Sequence, residues 1–91
     1  MNVLSAKLIF YIPHANSLKD KRQVSRSIIA KTKQKFNASV AEIDTLESHR
    51  TLTIGIAVIS GEMSHAQQSL DEIIRFMDGN ADAELTDVFF V

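Results

Sequence analysis

The sequence predicts an α+β fold with the element order βαββαβ, in one domain that spans residues 1–91. Three patterns lead to this prediction. Apolar residues alternate with others near the start of the chain, two segments have helical periodicity, and two strand-like segments flank a short polar turn. A chain of this length can bury a core but has no room for a second domain of ordinary size.

The first strand is predicted from the apolar residues at every even position between Leu4 and Ile12. Because side chains of a strand point alternately to its two faces, the even positions should face the core. Pro13 follows and should end the strand, since proline has no backbone N–H for the sheet.

The first helix is predicted from about Leu18 to Phe36. Ser17, with Asp20 three residues later, is typical of an N-cap followed by an acid in the first turn. Val24, Ile28 and other apolar residues then recur on one side at 100° per residue. Asn37 is expected to end the helix in the left-handed conformation that asparagine tolerates.

A hairpin should follow. Residues 38–44 and 50–60 have strand character, and a polar turn at residues 45–49 makes them an antiparallel pair. The second helix begins with Ser64 and Gln67 in the spacing of a capping box. Gly79 and Asn80 are expected to end it, which leaves residues 84–91 for the last strand. Its apolar residues recur at helical spacing: Ala66, Leu70, Ile73, Ile74 and Met77.

This order predicts the ferredoxin-like arrangement, a four-stranded antiparallel sheet with both helices on one face. The first and third strands are the most apolar and should be central, and the second and fourth should be edges. The other face of the sheet is left open. Ile9, Tyr11, Ile59 and Phe90 are expected there, where they would form an interaction or dimer surface. Scattered apolar residues on a solvated sheet are the alternative.

Charge is distributed unevenly although the chain has a net charge of only −1. Residues 1–40 contain eight Lys and Arg against one acid, a net charge of +7, whereas residues 41–91 have a net charge of −8. On the first helix a row of cations falls within about 60° of the helix wheel and spans about 21 Å. These four cations are Lys19, Arg22, Arg26 and Lys33.

The row is long enough to contact several phosphates of a nucleic acid backbone. Lys21, with Ser17 and the first N–H groups of the helix, could add an anion pocket. A solvated, solubilising helix face would have the same composition. The sequence therefore predicts contact with RNA through these residues and leaves the solvated face as the alternative.

No residues group into a catalytic, metal or cofactor site. The chain has no cysteine, and its three histidines come from separate segments without metal-ligand spacing. No glycine-rich phosphate loop is present. We therefore expect a protein that is not an enzyme and uses neither a cofactor nor a metal. The start of the chain does not have a signal-peptide pattern, and no apolar run is long enough for a membrane span, so we expect a cytoplasmic protein without a membrane partner.

Several motifs resemble those of one bacterial family. They include I-P-H-A-N-S-L-K-D-K-R at residues 12–22, F-N-A-S-V-A-E-I-D at 36–44, I-G-I-A-V-I-S at 54–60 and L-D-E-I-I-R-F-M-D at 70–78. The chain resembles the YlxP-like family, a domain of unknown function, over essentially its whole length. His14 and Asn16 depart from that family's pattern, which has Gly and usually His or Gln there.

The resemblance implies a ferredoxin-like fold in the cytoplasm of a bacterium. Members are often encoded beside the genes for ribosome-binding factor A and translation initiation factors, which implies a role in ribosome assembly or translation. It supplies no catalytic residue. Our leading hypothesis is thus a binding module that contacts RNA or the small ribosomal subunit. The alternative is a homodimeric interaction or regulatory module that uses the open sheet face.

Overall fold

Four strands and two helices follow one another in the predicted order in a computed structural model that describes residues 1–91. The elements are β1 (Asn2–Tyr11), α1 (Leu18–Lys35), β2 (Ser39–Glu42), β3 (Thr51–Ser60), α2 (Met63–Asn80) and β4 (Glu84–Phe90). They form one antiparallel sheet in the order β2-β3-β1-β4, with both helices packed on it. The predicted ferredoxin-like fold is confirmed, including the central position of β1 and β3.

Alternating side-chain directions along β1 and β3 separate the two faces of the sheet, although Thr53, on the face opposite the core, is also buried. Leu8, Phe10, Leu52 and Ile54 are completely buried and pair across the two strands, Leu8 with Ile54 and Phe10 with Leu52. They belong to a single apolar core that also contains one side of each helix. The opposite face of the sheet is covered by neither helix, as predicted.

The N-terminus of α1 is capped as predicted. Ser17 has an extended backbone, and its hydroxyl accepts a hydrogen bond from the Asp20 backbone N–H at 3.1 Å. The Asp20 carboxylate in turn accepts one from the Asn16 N–H at 3.0 Å. The two side chains therefore satisfy two backbone donors reciprocally, which fixes the angle at which the chain enters the helix.

Two predicted helix ends are wrong. Phe36, not Asn37, is the C-cap of α1, and its backbone is extended, so no left-handed residue ends the helix. Ser64 is not a cap: α2 begins one residue earlier, behind Glu62, which makes no side-chain cap hydrogen bond. At its other end α2 ends at Asn80 as predicted, with Ala81 as its C-cap.

Phe36 has a packing role that explains its conformation. Its ring contacts the ring of Phe76 on α2 in an edge-to-face arrangement, with centroids 5.5 Å apart. The ammonium of Lys35 lies 4.9 Å from the Phe76 centroid. An extended backbone at Phe36 ends α1 and lets the ring pack between the two helices, which fixes their C-terminal halves relative to each other.

Candidate functional site

Helix α1 carries most of the positive charge of the molecule. Seven of its residues are Lys or Arg, and Asp20 is its single acid. Where each cation lies relative to the core determines what it can bind. The structure divides them into three groups: one buried lysine, a row on the solvent side, and two lysines beside α2.

Lys21 is the buried one, with 1% of its side chain exposed. Its Nζ lies 3.1 Å from Glu42 Oε2 and donates to the carbonyl oxygens of Thr45, Leu46 and Thr51, at 2.7, 3.3 and 3.4 Å. These acceptors surround the ammonium, so it has no donor left for a phosphate. The prediction that Lys21 contacts nucleic acid is wrong in this structure: the residue ties α1 to β2 and to the loop before β3.

A sequence signal for this burial existed. Lys21 precedes Ser25 by four residues and Ile28 by seven, so it lies on the same side of α1 as the two buried residues. Glu42, on the edge strand β2, is the partner of this lysine, and its second carboxylate oxygen accepts a hydrogen bond from the Ser25 hydroxyl at 2.9 Å.

The anion pocket predicted at Ser17 is also contradicted. The Ser17 hydroxyl is occupied by the Asp20 N–H, and the Asp20 carboxylate lies at the same helix end. That carboxylate provides the negative charge that a helix N-terminus favours, and it would repel a second anion. Ser17 therefore caps α1. The ammonium of Lys21 contacts Glu42 instead and contributes no charge at this helix end.

The remaining predicted cations form one row, which we call the basic stripe: Lys19, Arg22, Arg26 and Lys33. All four are exposed, and none has a carboxylate within 4.0 Å. Lys33 lines a depression beside β2, whereas Lys31 and Lys35 line one with Phe76 of α2. The stripe therefore lies on the β2 side of α1, away from the second helix.

This placement matters because α2 is acidic. Asp71, Glu72 and Asp78 are exposed there, against one cation, Arg75. No ion pair links α1 with α2. The two halves of the sequence, one basic and one acidic, thus become neighbouring helices, and the positive potential of the stripe is directed outward from the β2 side.

The loop before α1 contains interactions that the sequence did not reveal. Arg50, at the end of the turn before β3, donates from Nε to the Ala15 carbonyl oxygen at 3.0 Å and from Nη2 to Asn16 Oδ1 at 3.4 Å. His14 Nε2 lies 3.2 Å from Asp82 Oδ2. These contacts hold the loop on both sides. No group of three or more His, Asp and Glu is arranged to hold a metal ion.

The open face contains three of the four apolar residues predicted there. Ile9, Tyr11 and Ile59 share the face of β1 and β3 that points away from the helices. Phe90 does not: it pairs with Ala6, whose side chain is buried in the core, so Phe90 lies on the helix side, near α2. Its neighbour Phe89 pairs with Lys7 and lies on the open face, where Phe90 was predicted.

Neither helix combines the length and the hydrophobicity that a membrane-spanning segment requires.

Comparison with known proteins gives two matches. A family model described as "Protein of unknown function (DUF503)" matches residues 3–89. The uncharacterized protein YlxP of Bacillus subtilis (strain 168) is 32% identical to the chain over 72 residues, which cover 79% of this chain and 78% of that protein. Both agree with the resemblance drawn from the sequence motifs.

Proposed function

The chain belongs to the DUF503 family of proteins of unknown function, and we propose that it is a non-enzymatic module that binds RNA through the phosphate backbone. The observation that carries this proposal is the basic stripe. Four exposed cations lie in a row on one helix, and no carboxylate of the protein neutralises any of them. Phosphate contacts by Lys and Arg provide most of the affinity in binding that does not depend on sequence.

The geometry of the stripe fits a strand rather than a single anion. From Lys19 to Lys33 the helix rises about 21 Å, which spans several phosphates. Arg22 and Arg26 stand one turn apart in the middle and can each bind a phosphate with two N–H groups. A small anion would engage one of these cations, whereas an extended polyanion would engage all four.

The acidic side of the molecule would orient it. RNA should approach the stripe from the β2 side and be repelled by the acids of α2. With a net charge of −1 the protein has no general attraction for nucleic acid, so binding should depend on this one surface and fall steeply with salt. Exposed aromatic side chains are absent from the stripe, which favours backbone contact over base stacking.

The resemblance to YlxP-like proteins supports ribosomal RNA as the polyanion and the cytoplasm as the location. Genes of that family often lie beside those for ribosome-binding factor A and initiation factors. The partner proposed on this basis is RNA exposed on the small ribosomal subunit during assembly or initiation.

A pair of matched variants tests the proposal. Arg22→Gln with Arg26→Gln removes two positive charges from the stripe. Lys31→Gln with Arg75→Gln removes two from elsewhere, since Lys31 lies roughly 140° from Arg26 around α1 and Arg75 is on α2. Both variants have the same net charge, and all four side chains are exposed. Binding to structured RNA and to purified small subunits should be measured for both by fluorescence anisotropy and co-sedimentation.

The stripe variant should bind at least tenfold more weakly than the control variant, which should bind like the wild type. Equal weakening in both variants would mean that only net charge matters. Unchanged binding in both would contradict contact through the stripe.

A further inference from the structure

The open face of the sheet has a raised edge and a hollow next to each other. The raised edge, which we call the ridge, consists of Val3 and Ile59, cross-strand partners that are 57% and 59% exposed. The hollow, which we call the trough, is floored by the next two rows of small residues: Ser39, Ala57 and Ser5, then Ala41 and Gly55.

The trough has a defined shape. It is a depression of about 560 Å³, mostly apolar in its lining. Ile43 closes one side, because it folds over Gly55 so closely that a Cβ there would lie 3.1 Å from its Cδ1. Lys7 crosses the floor, and its Nζ is held by Asp44 Oδ2 at 2.8 Å. The charge of Lys7 is therefore neutralised within the protein, whereas Lys33 of the basic stripe lines the β2 edge of the same trough with no carboxylate within 4.0 Å.

We propose that this face is the interface of a twofold homodimer, in which the ridge of each copy packs into the trough of the other. A twofold interface requires a surface that is complementary to itself. Here the projecting part, which is apolar, and the receiving part, which is mostly apolar, lie on the same face, one row apart. The partner that fits is thus a second copy of this chain.

The area of the whole open face is comparable to that of a small specific interface. With strands about 4.8 Å apart and about 3.3 Å per residue, the sheet projects at most roughly 500 Å² in each copy. Two copies together project at most about 1,000 Å², the size that a specific interface has to exceed, so side-chain relief has to supply the rest. Phe89 and Tyr11, on the same face and 49% and 39% exposed, extend the apolar surface beyond the ridge.

Most of the positive charge of the molecule lies away from this interface. Lys19, Arg22 and Arg26 belong to the helix layer, on the other side of the sheet, whereas Lys33 lines the β2 edge of the trough. Packing the open faces together would direct the first three cations of the two copies to opposite outer surfaces of the dimer and leave only Lys33 beside the interface. The dimer proposal therefore does not depend on the RNA proposal, and either can fail alone.

Sedimentation equilibrium over a micromolar concentration range tests it. The wild type should have twice the 10.1 kDa mass of the chain. Ile59→Lys would place an unpaired ammonium in the partner's trough and should shift the protein to the monomer mass. Phe90→Lys makes the same chemical change at an exposed apolar residue on the helix side, and this variant should remain a dimer. Both variants should retain the wild-type circular dichroism spectrum because both positions are more than half exposed.

Crosslinking then tests the register. The wild type has no cysteine, so introduced thiols have no background. An equal mixture of Ile59→Cys and Ala57→Cys chains should form the mixed disulfide under mild oxidation, more readily than a mixture of Ile59→Cys and Phe90→Cys. A monomeric wild type, a dimer that survives Ile59→Lys, or a crosslink that favours position 90 would overturn the proposal.

Discussion

Replacing Lys21 by Met should destabilise the protein far more than replacing an exposed cation of α1. Methionine keeps the length of the buried stem but removes the ammonium that lies 3.1 Å from Glu42 and donates to three carbonyl oxygens. The Glu42 carboxylate, only 16% exposed, would lose its counterion. Breaking a buried pair by removing one partner costs about 3–5 kcal/mol. The Ser25 hydroxyl still donates to Glu42, so we expect about 3 kcal/mol.

Urea unfolding followed by far-UV circular dichroism measures this loss. Arg22→Met is the matched control, because it removes a neighbouring cation that is exposed and should change stability by less than about 0.5 kcal/mol. Adding Glu42→Gln to Lys21→Met should recover part of the loss, since the buried uncompensated charge is then gone. Equal stabilities of Lys21→Met and Arg22→Met would refute the structural role of this lysine.

Two further predictions concern the helices. Ser17→Ala should lower the free energy of unfolding by about 1 kcal/mol, because the Asp20 N–H loses its acceptor. Ser64→Ala should change the urea midpoint little, because Ser64 is inside the first turn and does not cap α2. Equal losses of stability in the two variants would contradict the observed caps. A double-mutant cycle of Phe36→Leu, Phe76→Leu and the variant with both changes should give a coupling energy of about 0.5–1.5 kcal/mol from the edge-to-face pair. Strictly additive losses of stability in thermal or urea unfolding would show that the rings do not interact.

The fold could be predicted because its main signals are local. Every even residue from Ala6 to Ile12 is buried, and the alternation of apolar residues in the sequence indicates this burial directly. Ala66, Leu70 and Met77 are buried at helical spacing in the same way. These patterns state which side of an element meets the core, and the βαββαβ order then leaves few arrangements of the elements.

The candidate site could be predicted only in part, because burial of a charge depends on a distant partner. Helical spacing places Lys21 on the buried side of α1, but its partner Glu42 lies 21 residues away and cannot be identified from that spacing. Phe89 and Phe90 are a second case. Because side chains of a strand alternate, one ring lies on the helix side of the sheet and the other on the open face. Which ring lies on which side depends on the pairing with β1 and on the irregularity opposite Ile9 and Phe10. Such long-range register leaves no trace in a local pattern.

The salt dependence of RNA binding tests the central claim most directly. If all four cations of the basic stripe contact a single strand, the logarithm of the affinity should fall with the logarithm of the salt concentration at a slope near −2.8, about −0.7 for each phosphate contact. Arg26→Gln should reduce the steepness by about 0.7, and Lys31→Gln should leave it unchanged. Equal slopes for these two variants, or no binding at low salt, would contradict phosphate contact through the stripe.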